Sequence, residues 1–257
     1  MTTLQVEQHE RTLLVRLNRP DKLNALSPEM FRELRQLFLD ATADSEVGAI
    51  VITGSGRAFS SGADLRTFET LQNKAAYQAQ LELVAGAFRA AEECRVPVVA
   101  AVNGLALAGG LEILLFCDFV IAAPCAIFSF SEVGVGLQPV YGLLRGPAVM
   151  GRNWTRYLAY TGERICAQTA AAIGLVQRIV PASQLLDTAM HVARTIALQP
   201  PAAVAEGKRL ANHFCVNASL GDNQKFTDAI TTAERLFESA EQKQAVNRFF
   251  VNRKKPQ

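Results

Sequence analysis

The sequence predicts an α/β layered fold in which at least some neighbouring strands run parallel. Three observations support this: short β-branched runs end in turn residues, one all-apolar run follows a proline, and amphipathic helical segments separate these runs. Parallel strands need long crossover connections, which the helices supply. With 257 residues, of which 49% are hydrophobic and 19% charged, the chain is long enough for one large domain with a substantial core.

The chain opens with a predicted strand, a helix and a second strand. The β-branched runs TLLVRL at 12–17 and AIVIT at 49–53 predict the strands. Between them, Ser27-Pro28-Glu29 supplies a cap residue, a first-position proline and an early acid, which is typical of a helix start. The buried face of this helix should carry the apolar residues Phe31, Leu34, Phe38 and Ala41.

The middle of the chain predicts a strand that is buried on both faces. VVAAV at 98–102 is wholly apolar and follows Pro97 and a helix that ends near Glu93. Gly109-Gly110 then lead into the helical run LEILLFC, and DFVIAA at 118–123 predicts the next strand.

The sequence from about Pro147 onward is predicted to be mainly helical, with breaks at Gly174, Pro181 and Pro200-Pro201. A short extended piece is expected near Val176–Val180. The helices are expected at roughly 147–160, 167–173, 184–198, 201–213 and 222–250. We therefore expect a core of residues 1–200 and a C-terminal helical region of residues 201–257.

The charge balance gives no reason to expect a nucleic-acid partner, since the formal net charge is only +2. The basic run Arg253-Lys254-Lys255 is typical of a solvated chain end, although it could also meet a phosphate-bearing ligand. The most apolar stretch, at 98–123, contains Asn103, Glu112 and Asp118, so a membrane span is not expected.

Cysteine usage and the N-terminal pattern predict a reducing location, either the cytoplasm or an organelle matrix. The five cysteines include no CxxC pair, and most lie in apolar stretches, where buried thiols are expected. The first ten residues, MTTLQVEQHE, do not combine a basic segment with an apolar one, as a secretory signal would.

Several common catalytic sites do not occur in the sequence. It contains no dinucleotide fingerprint, no phosphate-binding loop and no GxSxG nucleophile turn. The three histidines, His9, His191 and His213, form neither a metal-spaced cluster nor an obvious triad, so no metal site is expected.

Two glycine-rich junctions between strand and helix remain, GSGRAFSSGADL at 54–65 and NGLALAGGLE at 103–112. Backbone N–H groups at such junctions are unpaired, so two of them can converge on a carbonyl oxygen that gains negative charge. Either junction alone is more typical of a tight turn with close packing of helix on sheet.

Glu112 and Glu132 both lie in apolar surroundings, where a carboxylate needs a partner or a task. Glu112 could simply be an acid at a helix start, and Glu132 could cap a turn. Near an oxyanion hole, however, two carboxylates suit abstraction of an α-proton or addition of water across a conjugated double bond.

The chain closely resembles the crotonase, or enoyl-CoA hydratase/isomerase, superfamily over nearly its whole length. The segments that carry the resemblance are, in order, NRPDKLNAL (18–26), GRAFSSGADL (56–65), NGLALAGGLEILLFCD (103–118), TGERICAQTAAAIGLVQRIV (161–180) and EQKQAVNRFFVNRKKP (241–256). The resemblance implies a crotonase fold, with a repeated ββα-type spiral core and a C-terminal helical extension. It also implies an acyl-CoA thioester substrate, with coenzyme A as part of that substrate and no separate cofactor.

The resemblance further implies roles for individual positions. Ala63 and Gly109 match the two N–H donors of the oxyanion hole. Glu112 and Glu132 match both catalytic glutamates of the hydratases, and the presence of both favours hydration. The positions that would contact CoA or substrate are Lys22, Ala63, Asp64, Leu65, Arg66, Gly109, Pro139 and Tyr141.

The chain departs from the hydratase pattern after Glu132. Hydratases usually have a PGxGG stretch there, whereas this chain has Pro139-Val140-Tyr141-Gly142-Leu143. We expect Val140 and Tyr141 to narrow or redirect the acyl pocket, and the Tyr141 hydroxyl to contact a substrate oxygen or the attacking water. The alternative is that both side chains only pack in the core.

The sequence thus predicts an enzyme that hydrates a trans-2-enoyl-CoA to a 3-hydroxyacyl-CoA through an enolate. An enoyl-CoA double-bond isomerase is the nearest alternative. A non-catalytic protein that binds CoA esters or acts as a scaffold is an alternative of another class. The resemblance also implies a homotrimer or homohexamer with the C-terminal helices at the subunit contacts.

Overall fold

A computed structural model describes the backbone of residues 3–214 and 223–253. The strands are β1 Leu4–His9, β2 Thr12–Leu17, β3 Ala49–Gly54, β4 Ala58–Ser60, β5 Val98–Val102, β6 Leu105–Leu107, β7 Phe119–Ala122, β8 Ile127–Ser129, β9 Ile165–Cys166 and β10 Arg178–Ile179. The α-helices are α1 Pro28–Ala43, α2 Leu65–Thr70, α3 Lys74–Glu93, α4 Gly109–Leu114, α5 Val140–Thr161, α6 Ala167–Ala172, α7 Leu185–Ala197, α8 Pro201–Phe214, α9 Asn223–Glu238 and α10 Ala240–Arg253.

The strands form two sheets that the chain visits in turn. The larger sheet has the order β1-β2-β3-β5-β7-β10, with every pair parallel except β1 and β2. The smaller sheet has the order β4-β6-β8-β9 and is antiparallel only between β8 and β9. Three times in succession, one strand enters the larger sheet and the next enters the smaller one. This repeated unit is the spiral core that the sequence predicts.

The central strands of the larger sheet, β3 and β5, are buried on both faces because helices cover each side. Alternate residues of its strands, such as Val51, Val99 and Ile121, pack with the buried face of α7. Their neighbours, such as Ile50, Ile52 and Ala100, belong to the other apolar cluster, together with residues of α1 and α3. All five residues of β5 are buried, as expected for a strand covered on both faces.

The predicted start and face of α1 are confirmed. The Ser27 hydroxyl accepts a hydrogen bond from the Met30 N–H at 3.2 Å, and Pro28 is the first helical residue. The buried residues of this helix include all four that the apolar spacing predicts, Phe31, Leu34, Phe38 and Ala41.

Other predicted elements differ from the structure. Helix α5 begins at Val140 rather than near residue 147, and it kinks at Gly151, where φ is 76°. The single helix expected at 222–250 is two helices, α9 and α10. Buried thiols were expected, but Cys125 and Cys166 are exposed, whereas Cys94 is buried. Cys215, Lys254 and Lys255 lie outside the described residues.

The C-terminal helices contact the rest of the chain closely. The Lys208 ammonium of α8 reaches into the core and forms an ion pair with Asp118 at 2.9 Å. From α9, Glu234 pairs with Lys74 of α3 at 3.0 Å, and Phe237 stacks on Tyr77. The division at residue 200 and the oligomerisation role of residues 201–257 stay predictions. No helix in the described ranges has the length and apolarity needed to cross a membrane.

Candidate active site

A cavity of about 1020 Å³ lies where α3, α4 and the start of α5 meet the ends of the smaller sheet. Its lining includes Ala63, Gly109, Glu112 and Glu132, so the structure brings together the four residues predicted to act on a substrate. The lining has more apolar than polar surface, which suits an acyl chain.

The two glycine-rich junctions meet at one wall of this cavity. A Cβ atom added to Gly62 would lie 2.6 Å from the Ala108 Cβ and 3.2 Å from the Gly109 nitrogen. One added to Gly109 would lie 3.6 Å from the Ala63 nitrogen. Within the described residues, neither the Ala63 N–H nor the Gly109 N–H donates to a protein acceptor. Two unpaired N–H groups therefore lie side by side at the cavity.

The backbone at Ala108 is strained, and this strain sets the direction of the Gly109 N–H. Ala108 has φ 50° and ψ −126°, a conformation that favours glycine. Hydrogen bonds hold it there: its N–H donates to the Ser129 carbonyl at 2.8 Å, and its carbonyl accepts from Leu111 and Glu112 at 2.8 and 3.0 Å. The chain thus turns sharply into α4, and the first N–H of that helix stays free.

Glu112 is held in place by the start of α5. Its side chain is buried, and Oε1 accepts hydrogen bonds from the backbone N–H groups of Tyr141 and Gly142, each at 2.9 Å. Burial raises the pKa of Glu112 from 4.5 to about 7, although the two hydrogen bonds oppose this change by stabilising the carboxylate. The helix-start alternative explains none of these contacts.

Glu132 lies in a short 3-10 helix, Ser131–Val135, on another side of the cavity. The residue keeps some exposed surface, but its Oε2 atom is buried and has no hydrogen-bond partner among the described residues. Burial, and then the charge of Glu112, raise the pKa of Glu132 well above its usual value. Because a charged Glu112 disfavours ionisation of Glu132, the two side chains share one proton when Glu112 is ionised.

The residues predicted to contact CoA lie near one another at the cavity. Lys22, Asp64, Leu65 and Arg66 all line it. The Asp64 carboxylate is also structural, because it pairs with Arg19 at 2.9 Å and accepts a hydrogen bond from the Arg66 N–H at 3.2 Å. It therefore fixes the first turn of α2 beside the cavity.

The prediction that Pro139 contacts the substrate needs correction, and the Tyr141 hydroxyl already has a partner within the protein. Pro139 is buried but does not line the cavity, because it precedes α5 and its carbonyl accepts a hydrogen bond from the Leu143 N–H. Tyr141 does line the cavity, but its hydroxyl donates to the Leu81 carbonyl at 2.6 Å and so cannot donate to a substrate. Its ring packs edge-on against Phe88.

Several cavity residues were missed by reasoning from the sequence. Tyr77, Leu81 and Val84 line the cavity from α3, and Arg57 lines it beside the first junction. The helical spacing of the α3 residues could have identified a buried face but not what that face meets. Phe250, from α10, also lines the cavity.

Comparisons with known proteins agree with this geometry. A profile of the enoyl-CoA hydratase/isomerase family matches residues 7–257. A probable enoyl-CoA hydratase of Rhizobium meliloti is 34% identical over 98% of this chain and 96% of its own length. A short-chain-enoyl-CoA hydratase of Clostridium acetobutylicum is 33% identical over 97% of this chain and 95% of its own. A crystal structure of an enoyl-CoA hydratase/isomerase from Mycobacterium paratuberculosis superposes with a TM-score of 0.89 at 29% identity, covering 96% of this chain and 98% of that one.

Proposed function

The chain belongs to the enoyl-CoA hydratase/isomerase family, and on that premise we propose that it adds water to a trans-2-enoyl-CoA to give a 3-hydroxyacyl-CoA. Relatives that match nearly all of it are named as enoyl-CoA hydratases. The observation that carries the proposal is the presence of two buried carboxylates and two unpaired N–H groups in one cavity.

The Ala63 and Gly109 N–H groups bind the thioester carbonyl oxygen in this proposal. They lie side by side, and no described protein group competes for them. As water adds to C3, electrons move to that oxygen and an enolate forms, which the two donors stabilise. Because the strained turn at Ala108 fixes the direction of the Gly109 N–H, little reorganisation of that donor is needed when charge develops.

Glu112 is the base and Glu132 the acid in the proposed reaction. The hydrogen bonds from Tyr141 and Gly142 favour the carboxylate form of Glu112, whereas Glu132 Oε2 has no described donor and keeps the shared proton. Ionised Glu112 takes a proton from a water molecule while the water oxygen bonds to C3 of the substrate. Glu132 gives its own proton to C2. Water is thereby added across the double bond, and one proton moving from Glu112 to Glu132 restores the starting state.

The CoA part of the substrate is proposed to lie along Lys22, Leu65 and Arg66, all of which line the cavity. The cations of Lys22 and Arg66, with that of Arg57, would attract the phosphates of CoA, and Leu65 would supply apolar contact. Coenzyme A enters as part of the substrate, and no further cofactor is proposed.

A panel of enoyl-CoA thioesters from short to long acyl chains tests the reaction. Mass spectrometry should show that the product has gained one water. A product of unchanged mass with a shifted double bond would establish the isomerase alternative instead. Tight thioester binding without turnover would establish the binding or scaffolding alternative.

We also propose that the protein assembles as a trimer or a pair of trimers and acts in the cytoplasm or an organelle matrix. The second half of α5 exposes Trp154, Tyr157 and Tyr160, which suits a surface covered by another subunit. Light scattering coupled to size-exclusion chromatography measures the subunit number, and a monomeric mass at micromolar concentration would refute the assembly.

A further inference from the structure

The cavity contains a second tyrosine, Tyr77, whose hydroxyl differs from that of Tyr141. Both side chains are almost fully buried, at 3% and 2% exposed, and both line the cavity. The Tyr141 hydroxyl donates to the Leu81 carbonyl. Within the described residues the Tyr77 hydroxyl has no hydrogen-bond partner, and it is not among the side-chain atoms sealed from solvent. It therefore offers an unused hydrogen bond to whatever fills the cavity.

The Tyr77 ring is fixed by aromatic neighbours. It stacks on Phe237 of α9, with ring centroids 4.2 Å apart, and lies 6.2 Å from Phe68 of α2. One turn before it on α3, Lys74 pairs with Glu234 of α9, which ties the same two helices together. The hydroxyl is thus held at a set place in the cavity wall.

The charges around Tyr77 make its hydroxyl a donor. Burial, and then the neighbouring carboxyl groups of Glu112, Glu132 and Glu234, raise the pKa of Tyr77, so the hydroxyl keeps its hydrogen. The same carboxylates would repel an anionic acyl group. The partner that fits is therefore a neutral oxygen, such as a hydroxyl, ether or ketone.

Apolar residues line the cavity together with Tyr77. Among them are Phe68, Leu81 and Val84, which suit contact with an acyl chain. We propose that Tyr77 is a specificity residue that donates a hydrogen bond to a neutral oxygen in the acyl chain, beyond C3, and thereby favours oxygenated enoyl thioesters over plain alkyl ones. This inference rests on the proposed function for the identity of the thioester.

The test compares wild type with Tyr77→Phe, which keeps the ring and its stack on Phe237. The substrates are 2-hexenoyl-CoA and its analogues that carry a hydroxyl or ketone at C4, C5 or C6. We expect the substitution to lower kcat/KM by about 10- to 100-fold for the preferred oxygenated thioester and to leave the plain thioester unchanged. Thr195→Val, which removes a hydroxyl from the exposed side of α7 away from the cavity, should change neither.

Binding measurements separate this inference from hydration itself. Wild type should bind a saturated hydroxyhexanoyl-CoA more tightly than hexanoyl-CoA by calorimetry, and Tyr77→Phe should abolish that difference even if no thioester is hydrated. Equal loss of turnover for plain and oxygenated substrates would assign the hydroxyl to the attacking water and overturn the proposal. No change with any substrate would mean that Tyr77 only packs.

Discussion

Lys208 and Glu132 are both ionisable residues with buried polar atoms, but they differ in whether those atoms have hydrogen-bond partners. The Lys208 ammonium donates to the Ala91 carbonyl, the Val96 carbonyl and the Asp118 carboxylate at 3.1, 3.2 and 2.9 Å. All three of its N–H donors are used. The Glu132 Oε2 atom is equally buried and has no partner within the described part of the chain.

The proposed role of Glu132 as a proton donor accounts for this difference. An ammonium in the core is tolerated only when each of its N–H donors has an acceptor. Because its donors bind the carbonyls of Ala91 and Val96, Lys208 holds α8 against the end of α3 and the residues just before β5. A proton donor must instead keep its oxygen free for the substrate, and its environment must favour the protonated form. Lys208, with all its donors hydrogen-bonded, stabilises the fold. Glu132, whose Oε2 atom has no partner among the described residues, is available for the proposed proton transfer.

The largest effect is expected from substitutions at the carboxylate pair. Glu132→Gln and Glu112→Gln should each lower kcat by roughly 10²–10⁴ and leave thioester affinity nearly unchanged, because a proton-transfer group is lost and the shape is kept. Steady-state kinetics, with an enoyl-CoA that the wild type hydrates as the substrate, measures this change. Glu82→Gln, on the exposed side of α3, is the control. Retention of half the wild-type turnover by either cavity variant would remove that residue from the mechanism.

A free-energy change of comparable size, here in the free energy of unfolding, is expected when Lys208 is substituted. Lys208→Met leaves the Asp118 carboxylate without its cation and two carbonyls without a donor, so unfolding should become easier by about 3–5 kcal/mol. Urea unfolding followed by circular dichroism measures the change, with the exposed Lys243→Met as control. A loss as small as that of the control would show that the buried contacts contribute little.

Glu112→Gln should also stabilise the fold at neutral and higher pH. The folded state holds the Glu112 proton up to about pH 7, whereas the unfolded chain releases it near 4.5. The folded state therefore binds more protons in this window, and wild-type stability falls as the pH rises through it. The variant cannot ionise, so above pH 7 its free energy of unfolding should exceed that of wild type by roughly 3 kcal/mol. If the free energies of unfolding of the two proteins changed in parallel with pH, ionisation of Glu112 would not be the cause.

The sequence could predict the two glutamates for a physical reason that does not extend to Lys208. Glu112 interrupts a run of apolar residues, so its placement is visible as an anomaly. Lys208 occurs in an amphipathic helix with other charged residues, where a lysine is usually solvated, and its three acceptors come from distant parts of the chain. Nothing local distinguishes it.

The strands of the smaller sheet show a similar limit. β4, β6 and β8 have three residues each, too few for a periodic pattern to be recognised, whereas β2, β3 and β5 are longer and were predicted at nearly their observed positions. The sequence could not identify the partner of the Tyr141 hydroxyl, because that partner, the Leu81 carbonyl, is 60 residues away. Partners at such separation follow from the fold and not from local sequence.

The smallest expected effect concerns backbone strain. This strain is present at Ala108, in the cavity wall where the two glycine-rich junctions meet, and absent from the neighbouring strand β6. Ala108 adopts a positive φ of 50°, whereas Ala106, two residues earlier in β6, does not. Strain of this kind costs about 1–3 kcal/mol, so Ala108→Gly should relieve it and, after the entropy that glycine adds to the unfolded chain, raise stability by about 1 kcal/mol.

Ala106→Gly is the matched control, because it removes the same methyl group from an unstrained, buried position and should lower stability by about 1 kcal/mol. Opposite signs in thermal unfolding would locate the strain at the turn that directs the Gly109 N–H. The glycine variant at 108 should also lose some kcat, because the donor is less firmly directed. If both variants lost stability equally, the conformation at Ala108 would be unstrained, and the orientation of the donor would depend on the hydrogen bonds from Ala108 to Ser129 and α4 alone.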